Sequence, residues 1–269
     1  MKKILLFSKR NFIEMIRDPL LYIFCGGFPI IMVLMFQVIL HYSSSSLAIF
    51  EIKSLIPGIM MFSYSLLMLM SSLLVSKDKT SAFLKRLFTS CLKPYQFIAG
   101  YFIPFFLIGV VQDIICISLG YICGAISNTL FATISELILL IIEMIPLKVI
   151  NIMFGIFVGS ILNEKSAPGI SSIFISASGI IGGAWMPVDT MGDFEKIIGF
   201  GPFYPSTYLG RVILKASHTP LNEEEYLNPV LYSFDNNAIL YIIILLTYTV
   251  VSIILASFSF KNMMTSDRI

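Results

Sequence analysis

Between Lys53 and Lys77 the chain runs for 23 residues, Ser54 to Ser76, without one charged side chain. At a rise of about 1.5 Å per residue, a helix of that length reaches past the ~30 Å hydrocarbon core of a bilayer. A second uncharged run, Pro94 to Gln112, is 19 residues long. Six segments qualify as spans: Leu20 to Leu40, Ser54 to Ser76, Phe97 to Ile122, Leu137 to Leu162, Pro168 to Trp185 and Ala238 to Phe260. Apolar residues make up 57% of the chain and charged residues 13%, about half the charge of an average soluble domain. The expected fold is an all-α integral membrane protein with six transmembrane helices.

Lys and Arg in the loops set the orientation, because cytoplasmic loops are enriched in them. With the N-terminus inside, the inner segments hold 13 of these cations and the outer segments 4 (Lys53, Lys196, Arg211 and Lys215). Both termini are therefore expected in the cytoplasm, and the protein in the cytoplasmic (plasma) membrane. Ile4 to Phe7, between Lys3 and Ser8, is too short for a signal-peptide core, so the N-terminus is expected to stay on the chain. Residues 1–17 read as an amphipathic interfacial helix. Ile4, Leu5, Phe12, Met15 and Ile16 share one side, and Lys2, Lys3, Lys9, Arg10, Glu14 and Arg17 share the other. Asp18-Pro19 marks the turn into the first span.

A basic island, Lys77 to Lys93, separates the two long uncharged runs. Phe83, Leu84, Leu87, Phe88, Cys91 and Leu92 fall on one face of a helix, and Lys79, Lys85, Arg86 and Lys93 occupy much of the rest. Such a helix suits a lipid surface or a groove on a cytosolic partner; a plain solvated loop is the third reading. Residues 187–237 form the longest stretch outside the spans. It is apolar, with Gly and Pro breaks from Ile197 to Pro205, and is expected to dip back into the membrane edge where protein shields its backbone. Glu223 to Glu225 read as a solvated loop, and Ser43 to Ser46 as an outer turn.

No G-x-x-x-x-G-K-[ST] loop occurs, so this chain has no such cradle for ATP. The four cysteines and two histidines show no metal-ligand spacing; Cys25, Cys91, Cys116 and Cys123 read as small apolar residues. Charges inside the spans are costly at mid-membrane. Asp113, Glu143 and Lys148 are the three. They read either as a polar lining or ion relay, or as inter-helix pairing of Asp113 with a residue of a neighbouring span. Gly120/Gly124, Gly155/Gly159 and Gly179/Gly183 have the spacing for close helix approach.

Taken in order, several motifs resemble the type-2 ABC transporter permeases. They are Arg17-Asp18-Pro19, Gly27-Phe28-Pro29, Pro57-Gly58, the basic island ending Leu92-Lys93-Pro94, Gly100, Pro104, Gln112, Ser178-Gly179, Met186-Pro187 and Pro202-x-x-Pro205. The family's Gly-Thr-Xaa-Glu stretch reads Lys79-Thr80-Ser81-Ala82 here. The resemblance covers nearly the whole chain. It implies one membrane domain over 1–269: an interfacial helix, six spans, a cytoplasmic coupling helix over 77–93 and an extracellular re-entrant helical hairpin before the sixth span. The hairpin would be Pro187 to Arg211, with Pro187, Pro202 and Pro205 at its breaks.

The resemblance further implies a non-catalytic permease subunit working with two copies of an ABC ATPase, which carries ATP and Mg, and with a second permease copy or a sibling. Thr80, Phe83, Leu84, Lys85, Arg86, Leu87 and Phe88 would face the ATPase. Met60, Met61, Phe62, Tyr64, Asp113 and Phe174 would line the path. Such a path suits efflux of a hydrophobic or amphipathic cargo: a drug, an antibiotic (hence resistance) or a peptide. Export of a polysaccharide or lipid-linked cargo is the alternative within the same architecture. An ion-coupled transporter or channel using Asp113, Glu143 and Lys148, and a membrane scaffold, are the alternatives outside it. Membrane lipid is an expected partner; nucleic acid is not.

Overall fold

The computed structural model describes residues 2–42, 48–81, 83–84, 93–220 and 228–266. Among these the regular structure is helical, and the one pairing of extended backbone is an isolated bridge between Ser217 and Leu231. Helix α1 spans Lys2–Ile16. Five helices are long and apolar enough to cross a membrane: α2 (Pro19–Tyr42), α3 (Ile52–Thr80), α4 (Pro94–Ile126), α5 (Ile134–Ile161) and α9 (Asn236–Ser266). Shorter helices are α6 (Ala167–Ile181), α7 (Asp193–Ile198) and α8 (Phe203–Ile213). The predicted fifth span, Pro168 to Trp185, therefore corresponds to a helix of 15 residues. That is about 22 Å of helix against a ~30 Å core. Its helix stops because the chain turns at Gly182-Gly183, where Gly183 has φ +67°. Trp185 is thereby carried back against Gly179 and the rings of Phe36 and Phe62.

Helix α3 is the hub. In its most apolar stretch 94% of the residues are buried, against 22% in α2 and in α9. It packs on α2, α4, α5, α6 and α8. Its many serines suit that position: Ser63, Ser71, Ser72 and Ser76 each bond a carbonyl of their own helix. A small, internally satisfied side chain lets neighbours approach without leaving a bare polar group. Ser72 also meets Ser171 of α6 at 2.9 Å.

The three glycine pairs do different things. Gly155 and Gly159 face α3: a Cβ at Gly155 would lie 2.4 Å from the carbonyl oxygen of Met68, and one at Gly159 would lie 2.6 Å from that of Ser72. Gly120 and Gly124 instead receive Phe131 and Thr129 of the chain that follows their own helix. Gly179 makes room for Trp185.

Near its start α2 contains a π-helical turn, Tyr22–Gly27, with the Phe28 amide bonded to the carbonyl of Ile23. Pro29 follows directly. A proline cannot donate to the carbonyl four residues back, and its ring crowds that group, so the wider turn absorbs the mismatch.

The predicted lipid-facing helix at the N-terminus is real as a helix but differs in its faces. Phe7, Ser8, Asn11 and Met15 are buried, while Leu5, Leu6, Ile13 and Ile16 are exposed. Asn11 donates to the carbonyl of Gly100 at 3.1 Å. Phe7 fills the space a side chain at Gly100 would take, 2.2 Å from its Cβ position. Helix α1 is thus seated on α4 by one side, and its leucines and isoleucines look outward. A wheel ranked by hydrophobicity misses this because the centre of the contact is an amide.

Gly155→Ala should therefore lower the melting temperature of the detergent-purified protein, by an amount matching roughly 1–3 kcal/mol of overpacking. Gly169→Ala, with open space around its Cβ position, should leave it unchanged.

Candidate functional site

The basic end of α3 carries a network built around Asp78, a carboxylate only 1% exposed. Arg10 of α1 grips it with both terminal nitrogens, at 2.7 and 3.0 Å. Tyr101 of α4 donates to it at 2.7 Å. Arg10 also pairs with Glu14 at 2.6 Å, and Glu14 takes Lys77 at 2.9 Å. Burial pulls the Arg10 guanidinium down, but Asp78 and Glu14 outweigh it and hold its pKa above the usual value. On the other flank Lys79 donates to the carbonyls of Ser160 and Ile161, both at 2.9 Å. These groups end α5, where carbonyls lack helical partners and a cation is favoured. Three helices, α1, α4 and α5, are thus tied to one turn of α3.

The basic island starts from that turn. Thr80 bonds the carbonyl of Ser76 at 2.8 Å, within its own helix. Phe83 lies under the Arg10 guanidinium, 4.1 Å from its ring centre, and stacks on Phe7. Leu84 is buried in the core. So Phe83 and Leu84, expected at a partner's surface, pack into their own chain. Lys85, Arg86, Leu87 and Phe88 lie outside the described residues. Asp78 escaped the sequence reading, although its signal was there: it is the one acid within Lys77 to Lys93.

Halfway along the bundle, Asp113 of α4 and Lys148 of α5 form an ion pair, their side chains 3% and 1% exposed. Tyr64 of α3 donates to the second carboxylate oxygen. The Lys148 ammonium also faces the rings of Tyr64 and Phe106 at 5.2 and 5.3 Å. Next to this group, Gln112 reaches the Ser63 carbonyl at 3.4 Å. The structure brings Asp113, Lys148 and Tyr64 together but places Glu143 elsewhere. Glu143 accepts from Ser206 of α8 at 2.9 Å, and its other oxygen is buried without a hydrogen bond. Met60, Met61 and Phe62 are enclosed by the chain's own helices. Phe174 lies beside Phe154 and lines a cavity of about 320 Å³, with Phe203 and Tyr248 on its other walls.

At the opposite end, Arg211 of α8 is 1% exposed, although its place in the sequence reads as an outer loop. It donates to the carbonyls of Gly183 at 2.6 Å and Ser54 at 3.2 Å, and reaches the Tyr232 hydroxyl at 3.5 Å. The turn after α6, the start of α3 and the segment before α9 meet on this guanidinium. Pro187 sits just before a short 3-10 turn (Val188–Thr190), Pro202 just before α8, and Pro205 is buried within α8. Two short helices, α7 and α8, occupy the region read as a hairpin. Residues 221–227, which include the Glu223–Glu225 run, and the Ser43–Ser46 turn lie outside the described residues.

A family model described as "ABC-2 family transporter protein" matches residues 35–258, most of the chain. A comparison with curated proteins finds no match.

Removing one member of the buried ion pair strands the other. Lys148→Met is expected to destabilise the protein by about 3–5 kcal/mol, and Asp113→Leu/Lys148→Met to recover most of that loss. Thermal unfolding of the three proteins in one detergent measures it.

Proposed function

The chain belongs to the ABC-2 transporter family, and on that premise we propose that it is the permease of an ATP-driven exporter. Family members are typically non-catalytic membrane subunits served by an ABC ATPase. In our reading this chain spans the membrane six times, with α6 as a short fifth span and both termini cytoplasmic. It pairs with a second permease, a copy or a sibling, and two ATPase subunits hold ATP and Mg. The excess of Lys and Arg at the basic end supports that orientation. The short helices α7 and α8, lying between glycine and proline breaks, support a re-entrant outer hairpin.

One observation carries the mechanism: the segment after Thr80 leaves from the turn that is tied to α1, α3, α4 and α5. A partner that pulls on this segment pulls on the Asp78–Arg10 pair and on the Lys79 clamp, hence on four helices at once. Such a joint passes motion into packed helices as rigid bodies. Phe83 and Leu84 serve as its root, and Lys85, Arg86, Leu87 and Phe88 are the residues we assign to the ATPase groove. ATP-driven closure of the two ATPase subunits would then rock the bundle and open a path outward.

Helix α6 leaves Gly169, Ile173, Ser176 and Ile180 exposed on one face. That face and Phe174 favour a hydrophobic or amphipathic cargo over a polysaccharide. An ion-coupled mechanism is the less supported reading, since Asp113 already has Lys148 and Tyr64 as partners.

Phe88→Asp and Leu87→Asp, expressed with an ABC ATPase that co-purifies with the wild-type chain, test the assignment. Both should reach the membrane at normal levels, yet retain on the order of tenfold less ATPase on purification and lose export. Normal export by both variants would overturn the coupling role. Leu84 is unsuited to the test because it is buried.

A further inference from the structure

A cleft of about 860 Å³ opens at the basic end, between α1, the turn into α2 and the flanks of α3 and α4. Its volume falls within the ~300–1,000 Å³ range of small-molecule sites. Its inner wall is Met70, Leu73, Leu74 and Phe105. Lys77 stands at its charged rim, and Met70 is seven residues deeper on the same helix, about 10 Å. A ligand of this cleft therefore meets charge at one end and hydrocarbon at the other. Ile13 and Leu20, which also line the cleft, are exposed. The cleft thus opens sideways beside a surface already apolar.

The charges of the lining narrow the ligand. They are three cations, Arg10, Arg17 and Lys77, and three carboxylates, Glu14, Asp18 and Glu164. Arg10 is held by Asp78 and Glu14, and Lys77 by Glu14. Asp18 caps the start of α2 by accepting from the Leu20 amide at 3.0 Å. Arg17 and Glu164 make no side-chain hydrogen bond or ion pair among the described residues. Apart from the capping Asp18, one cation and one anion are left over: Arg17 after the end of α1 and Glu164 in the turn between α5 and α6. An anionic headgroup would leave Glu164 facing more negative charge, and a cationic ligand would do the same to Arg17.

We propose that this cleft binds one zwitterionic aminophospholipid from the adjoining leaflet. Its phosphate meets Arg17, its primary ammonium donates to Glu164, and its acyl chains descend along Met70, Leu73 and Phe105. The lipid then bridges α1 to the α5–α6 turn, two elements with separate tethers to the basic end of α3. The assignment does not depend on direction of transport or on cargo.

The test uses the purified full-length protein with added dioleoyl phosphatidylethanolamine, phosphatidylcholine or phosphatidylglycerol. Native mass spectrometry reads lipid retention, and thermal unfolding reads stabilisation. Phosphatidylethanolamine should be retained about tenfold more than the other two. Phosphatidylcholine has no N–H to give Glu164, and phosphatidylglycerol has no cation. Arg17→Gln and Glu164→Gln should each erase that preference while the size-exclusion profile stays that of the wild type. Both side chains are exposed and have no other partner among the described residues. Equal retention of the three lipids, a preference for phosphatidylglycerol, or an undiminished preference in both variants would overturn the proposal.

Discussion

Helix α3 is enclosed by its own chain, and the other helices are arranged by what that enclosure demands. A helix with no free side can carry neither bulk nor unpaired polarity where neighbours press on it. Ser63, Ser71, Ser72 and Ser76 bond backward to carbonyls of their own helix, Ser65 being the buried exception without a partner among the described residues, and α5 contributes Gly155 and Gly159 where its backbone meets that of α3. Tyr64, too large to vanish into such a contact, hands its hydroxyl to Asp113, and Asp113 in turn requires Lys148. The intramembrane charges thus follow from a tyrosine and a carboxylate buried together. One charge compensates another across α4 and α5, and the hydroxyl from α3 uses the remaining oxygen.

The two ends of α3 are held by opposite chemistry. At the basic end a buried carboxylate, Asp78, gathers a guanidinium and a phenol. At the other end a buried guanidinium, Arg211, gathers carbonyls. Carboxylate–guanidinium contacts are strong and directional because both groups are planar and both bonds are charge-assisted. Carbonyls offer weaker, more numerous acceptors. The first joint suits a fixed lever arm. The second ties three chain segments whose own backbone groups would otherwise be short of donors where the α6 helix ends.

Much of this fold was legible in the uncharged runs. Long spans need only length and apolarity, and five of the six appear with boundaries a few residues from those read. The fifth run, Pro168 to Trp185, appears as the shorter helix α6 because Gly182-Gly183 turns the chain where the sequence still reads as continuous hydrocarbon. The faces of α1 were misjudged for a related reason: hydropathy ranks Leu5 and Leu6 above Asn11, whereas a lipid surround takes the leucines and a protein neighbour with a bare carbonyl takes the amide. The Asp113–Lys148 pair was legible as a choice between pairing and lining. Its third member, Tyr64, was placed on the path because an aromatic in a span carries no mark of what its hydroxyl bonds.

Buried charge also marks where the bundle resists coming apart. Separating α4 from α5 would expose Asp113 and Lys148 to hydrocarbon singly, at a cost of several kcal/mol per ion. Separating α1 from α3 would take the Arg10 guanidinium away from the buried Asp78 carboxylate. Among the described residues no such charge ties α2 to the rest. A stacked pair of rings, Phe28 on Phe62, joins it to α3; Phe36 stacks on Phe50 of the 3-10 turn before α3 (Ala48–Phe50), whose carbonyl also accepts from Gln37. Aromatic faces slide at little electrostatic cost, and the π turn at Tyr22–Gly27 already interrupts the regular ladder where α2 leaves α1. A motion that kept these ion pairs would carry α1, α3, α4 and α5 together and would bend α2 against them.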